Sequence, residues 1–144
     1  MNEAIRVVVL AAIGRPGTGE FLVFTGRDEM RGLVYDRPFG GGLEFGETVS
    51  DAVRREVKEE IGIDITAGRI LGVTESFFTV GDHRKHEVAV IVEAEFVDPE
   101  LYKNSAFPDQ EGNNEHGSWR RLDATNILFP EKLPAILKQA GLVS

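Results

Sequence analysis

The sequence contains no cysteine. That excludes a disulfide framework, a thiolate metal site and a cysteine nucleophile, and it suits a reducing compartment. Long apolar runs are missing as well. The longest, Val7 to Ile13, falls well short of the roughly 18 residues that a membrane span needs. Arg6 precedes this run, but Glu3 interrupts the positive start, and Gly14-Arg15-Pro16-Gly17 reads as a turn rather than a signal-peptide cleavage site. Positive charge is scarce: 16 Lys+Arg stand against 24 Asp+Glu, a formal net charge of −8. This balance argues against a nucleic-acid polymer or an anionic membrane as partner, while a local basic pocket could still hold a phosphate. The 144 residues suit one domain spanning 1–144. The expectation is a soluble, cytoplasmic protein.

Glycine is what the chain has in excess. It clusters in two places, Gly14 to Gly19 and Gly40 to Gly46, and clustered glycine marks backbone that bends sharply or approaches something closely. The β-branched run Ile5 to Ile13 predicts a strand buried on both faces. Glu20 to Thr25 returns after a turn, so the two are expected to form a hairpin. Leu33 to Tyr35, Arg69 to Val80, Glu87 to Val97 and Trp119 to Leu122 predict further strands, with 98–117 loop-like. Two helices are expected: one from Thr48 or Ser50 to about Ile61, stopped by Gly62, and one over 130–140, stopped by Gly141. Strands with two separately placed helices indicate an α+β layered fold rather than a βαβ repeat.

The first helix carries the chemistry. Val49, Val53, Val57 and Ile61 recur every fourth residue. On a wheel of about 100° per residue they define the buried arc, with Glu60 inside it and Glu56 beside it. Arg54, Lys58 and Arg55 fall on the solvent side. Glu56 and Glu60 are therefore like charges one turn apart, which repel. Burying them costs several kcal/mol unless a cation compensates. A hard divalent ion with oxygen ligands does this directly. An arginine from another segment, or a solvated helix edge, is the alternative.

The glycines upstream shift the balance. Gly41, Glu47, Arg55-Glu56-Val57, Glu59-Glu60 and Gly62-Ile63 form one pattern over 41–63. It matches the Nudix box, G-x5-E-x7-R-E-U-x-E-E-x-G-U with U aliphatic, at every fixed position. At ordinary composition, chance alone gives such a match about once in 10⁸–10⁹ placements. The sequence thus resembles the Nudix hydrolases. The resemblance implies an α/β/α sandwich: a mixed sheet between the box helix and a C-terminal helix. It implies hydrolysis of a diphosphate bond in a nucleoside diphosphate linked to another moiety, with Mg²⁺ or Mn²⁺ as cofactor. Glu56 and Glu60 would be the principal metal ligands, Glu59 an additional one and the Gly40 carbonyl a fourth. Gly41, Glu47, Arg55 and Gly62 would be structural members of the motif. Upstream, Arg37-Pro38-Phe39-Gly40-Gly41-Gly42 departs from the usual Leu-Pro-Gly-Gly by a displaced proline.

The reaction needs a carboxylate to take a proton from water, and the resemblance does not fix which one. Glu115, four residues before Trp119, is the candidate; a solvated loop acid is the alternative. Arg37, Phe77 and Arg84 are weaker candidates for substrate contact. Adjacent strand residues face opposite ways, so at most one of Phe77 and Phe78 can point into a site, and the other is expected in the core. Gly14-x4-Gly19 imitates a phosphate-binding loop but continues Glu20-Phe21 instead of Lys-Ser/Thr, so it reads as a turn. His83, His86 and His116 lack the spacing of a zinc site. The partner expected is a small nucleotide; a homodimer is left open. A non-catalytic Nudix-fold nucleotide-binding sensor is the competing reading, and isomerase chemistry on a prenyl diphosphate is disfavoured by the missing cysteine.

Overall fold

The computed structural model describes residues 3–143. In chain order its strands are β1 (Ile5–Ala12), β2 (Phe21–Asp28), β3 (Leu33–Arg37), β4 (Gly40–Gly42), β5 (Ile65–Val80), β6 (His83–Phe96), β7 (Ala106–Phe107), β8 (Gly117–Arg120) and β9 (Ile127–Leu128). Helix α1 spans Val49–Ile61 and α2 spans Leu133–Gln139. A 3₁₀ turn, Pro99–Lys103, interrupts the segment expected to be all loop.

The sandwich implied by the resemblance is present. A four-stranded mixed sheet has the order β4-β1-β6-β5, and a five-stranded sheet the order β7-β8-β2-β3-β9. Strand β1 runs through the middle, parallel to β6 and antiparallel to β4. Its side chains alternate, as a pleated strand requires. Val9 and Ala11 join a core with Val53, Val57 and Ile61 of α1. Val8, Leu10 and Ala12 join a second core with Leu133 and Leu137 of α2. Both faces of β1 are covered, which is why it reads as an unbroken apolar run.

The expected hairpin between the first two strands does not form. Gly14 and Phe21 make a single bridge, Leu22 N–H donates to the Ile13 carbonyl at 2.9 Å, and the chains then separate. The reason is occupancy: β4 and β6 take both edges of β1, so β2 pairs with β3 and β8 in the other sheet.

Helix α1 ends where its caps dictate. Thr48 Oγ1 accepts from the Asp51 N–H at 3.1 Å. Gly62 takes the left-handed conformation at φ 71° and donates its N–H to the Lys58 carbonyl. Helix α2 is shorter than its sequence pattern, beginning only at Leu133. The strand expected from Trp119 starts two residues earlier, at Gly117. Neither Phe77 nor Phe78 lies in the core; they are 71% and 38% exposed. Strand β5 is the edge of its sheet, so its far end has a neighbour on one side only. Among the described residues no helix is long and apolar enough to cross a membrane.

Candidate active site

Glu60 is the unusual member of α1. It is 9% exposed, on the same face as Ala52, Val53, Val57 and Ile61. Burial is the largest influence on it, followed by a hydrogen bond and charge from Glu56, then the charges of Glu111 and Glu115. Together they push its pKa from 4.5 up to about 9. Among the described residues no Lys, Arg or His pairs with it. The wheel thus located the buried acid from spacing alone.

The wheel misplaced Arg55. Its side chain is only partly exposed and folds back along the helix instead of pointing to solvent. Arg55 Nε meets Glu47 Oε2 at 2.7 Å, Nη2 meets Glu47 Oε1 at 2.9 Å, and Nη1 reaches Glu56 Oε1 at 3.0 Å. Nη2 also donates to the Gly42 carbonyl at 3.1 Å. Asp51 lies near Arg54, at 3.6 Å. A side chain with four rotatable bonds can leave the direction its Cα sets, and three acceptors on one side draw it there. Glu59 touches the same guanidinium only loosely, at 3.4 Å, and is half exposed.

The glycines place backbone against these acids. A Cβ on Gly41 would lie 2.5 Å from the Glu56 carboxylate. A Cβ on Gly40 would lie 1.8 Å from the Val9 carbonyl, so β4 can sit against β1 only without side chains there. Phe39 O accepts from Ala11 N–H, and Leu43 N–H donates to Val7 O. Alternate residues of an antiparallel ladder face the partner strand, so Gly40 and Gly42 turn their carbonyls to the outer edge. That of Gly42 is taken by Arg55.

A loop closes the site from the other side. Gln110 N–H donates to the Glu60 carbonyl at 2.8 Å, and Gln110 packs over Gly62, where a Cβ would meet its Cγ at 3.4 Å. Glu115 is half-buried and its pKa is raised, first by burial, then by Asp109 and Glu111, with Arg37 opposing. Glu111, Glu115 and Arg37 therefore all lie within electrostatic reach of one another or of Glu60. The sequence reading missed Glu111 and Asp109; no spacing rule links a loop acid to a helix fifty residues earlier.

The remaining candidates divide. Arg37 is near Glu115 but its Nη2 is bound to Glu87 at 3.0 Å. Arg84 is held by Glu3 through two bonds of 2.8 Å, and Phe77 stacks on His86 with ring centroids 4.3 Å apart. Phe77 and Arg84 line a cleft of about 500 Å³ together with Phe78, Lys85 and His86, and none of the α1 acids borders it. The structure does not bring them to Glu56 and Glu60.

Among the described residues no three His, Asp or Glu side chains form a ready-made metal cage. The donor set still suits a hard divalent cation: the Glu56 and Glu60 carboxylates and the outward Gly40 carbonyl all offer oxygen atoms. Among the described residues Glu60 also lacks a cationic partner where its burial calls for one. A buried acid beside a partly buried one, a bordering carboxyl with raised pKa and an arginine are the parts of a site that can hold a cation and activate water beside a phosphate.

The chain is similar to known proteins over nearly all of its length. Residues 4–139 match the family model described as the NUDIX domain. A MutT NUDIX hydrolase from Burkholderia pseudomallei is similar at 26% identity and TM-score 0.63, over 93% of this chain and 97% of that one. An ADP-ribose pyrophosphatase from Streptococcus suis 89-1591 is similar at 20% identity and TM-score 0.59, over 94% and 91%. A UDP-X diphosphatase superposes with TM-score 0.68 at 18% identity; 98% of this chain is covered, but it spans only 64% of that protein.

Proposed function

The chain belongs to the NUDIX domain family and is a Nudix hydrolase, and from that premise we propose Mg²⁺-dependent cleavage of a small nucleoside diphosphate joined to another group. The observation that carries this reading is Glu60, a buried carboxyl beside Glu56 that no cationic side chain among the described residues pairs with. Glu56 and Glu60 would hold the ion, with Glu59 at the rim and the Gly40 carbonyl completing the set; Mn²⁺ has the same ligand preference. A cation held there would supply positive charge to offset that of the diphosphate oxygens.

The chain's own residues do the rest. Glu115 takes a proton from the attacking water onto a carboxylate oxygen, and burial, which raises its pKa, makes it a stronger base than a free carboxylate. The water oxygen bonds to one phosphorus, the bridging P–O bond breaks, and the bridging oxygen leaves with the second phosphate. Arg37, at the edge of the acid cluster, offers a positive charge to a phosphate oxygen. Arg55 holds Glu56 and Glu47 so that loop and helix stay in register. The composition, negative and free of cysteine, supports a cytoplasmic setting.

The test is a substrate panel. Phosphate-containing products are measured for ADP-ribose, UDP-sugars, NADH, 8-oxo-dGTP and Ap4A with Mg²⁺. The names of the structural neighbours make the first two the starting points. Cleavage of at least one compound is expected, and Glu60→Gln should lower kcat by about 10²–10³-fold or more. Tight binding without cleavage across the panel would support a sensor instead.

A further inference from the structure

The loop that carries Glu115 is organised around one carboxylate. Asp109 Oδ1 accepts from the Glu111 N–H at 2.8 Å, and Oδ2 accepts from the Asn113 N–H at 2.5 Å and the Glu115 N–H at 3.3 Å. Its own N–H donates to His116 Nδ1 at 3.3 Å. Asn114 sits in the left-handed region at φ 57° and Gly112 at φ 75°, so the chain turns twice inside this ring of bonds. Next to the hub, Gln110 N–H is bound to the Glu60 carbonyl. The loop is therefore fixed to the end of α1 at one residue and folded around Asp109 from the adjacent one.

From this geometry we propose that Asp109 is a positioning residue for the reaction: it holds the backbone of 111–115 so that Glu115 stands at the acid pair of α1. The proposal rests on the assignment of Glu115 as base. Three N–H donors on one carboxylate are what gives the segment a single shape, since 111–115 belongs to no strand or helix. Charge-assisted bonds of this kind are about twice as strong as neutral ones. Asp109 need not touch substrate. Without it, the amides of Glu111, Asn113 and Glu115 lose their common acceptor, and Glu115 samples positions away from the attacking water. A displacement of about 1 Å in a catalytic group can cost about 10²-fold in rate.

The test is a double-mutant cycle on the full chain with Mg²⁺ and whichever panel compound is cleaved. Asp109→Ala should lower kcat by about 10–10²-fold with KM changed less than about threefold. Asp109→Asn, which keeps one acceptor oxygen, should recover part of the loss. Amide exchange at 111, 113 and 115 should accelerate in Asp109→Ala while the amides of α1 stay protected, which guards against global unfolding. In a Glu115→Gln background, Asp109→Ala should cost little more, because the two changes act through one group. Multiplying losses in the double variant would overturn the proposal, as would an unchanged kcat in Asp109→Ala. If Glu115→Gln lowers kcat but Asp109→Ala does not, the base assignment stands and the positioning role falls. If Glu115→Gln keeps full activity, both fall.

Discussion

Replacing Glu60 by glutamine should stabilise the metal-free protein while cutting its turnover by about 10²–10³-fold or more. The folded state raises this carboxyl from 4.5 to about 9, so it binds the proton more tightly than the unfolded chain does. Stability from this group is full below about pH 4.5, falls as pH rises through the window, and levels off above about 9. At about 1.4 kcal/mol per pH unit, the penalty by pH 7 is about 3 kcal/mol. Glutamine carries no charge at any pH and keeps hydrogen-bonding capacity, so the variant escapes the penalty. For a chain near this size a gain of 1 kcal/mol raises Tm by roughly 2–4 °C, so about 3 kcal/mol gives about 6–12 °C at pH 7. Differential scanning calorimetry in EDTA, from pH 5 to pH 8.5, reads this directly. The wild type should lose Tm with rising pH more steeply than the variant. Added Mg²⁺ should raise the wild-type Tm, by about 3 kcal/mol of linkage at a hundredfold excess over Kd, and leave the variant unmoved. A variant less stable than wild type at every pH, with parallel pH profiles, would refute the reasoning.

Other expectations follow from the same contacts. Gly41→Ala puts a Cβ where Glu56 now sits at 2.5 Å; circular dichroism should show a folded protein, and kcat should fall by about 10²-fold as Glu56 is displaced. Arg55→Gln removes the bonds to Glu47, Glu56 and Gly42 and should cost about 2–3 kcal/mol in urea unfolding, along with much of the activity. Arg120 and Asp36 form a buried pair at 2.7 Å, each 6% exposed. Asp36→Ala should destabilise by about 3–5 kcal/mol because it leaves the buried guanidinium charge with backbone carbonyls but no carboxylate, while kcat per folded molecule stays near wild type.

Much of this site can be read along the chain because its central piece is local. Thr48, the valines at every fourth position and Gly62 delimit α1 through caps and periodicity, which are properties of neighbouring residues. The burial of Glu60 follows from the same spacing. What could not be read depends on contacts distant in sequence. Gly40–Gly42 forms a strand against glycine's own low β propensity because β1 supplies the partner. The separation of β1 from β2 depends on which strands already flank β1, and a turn with two strands looks the same either way. Phe77 and Phe78 carry an alternation that fits a covered strand and an edge strand equally well. Glu111 acts on Glu60 from a distant loop that Gln110 ties to the Glu60 carbonyl, and Asp109 sits beside that tie. The direction of Arg55 escaped the wheel because a wheel places Cα atoms and not the end of a long side chain.

The claim beneath all of this is that Glu56 and Glu60 tolerate each other in the interior because a divalent cation joins them. Anomalous diffraction from crystals grown with Mn²⁺ tests it most directly. The account predicts an anomalous peak at about 2.0–2.2 Å from carboxylate oxygens of both residues, with the Gly40 carbonyl among its ligands. A pocket without that peak, in which an arginine or lysine has swung in to pair with Glu60, would contradict it.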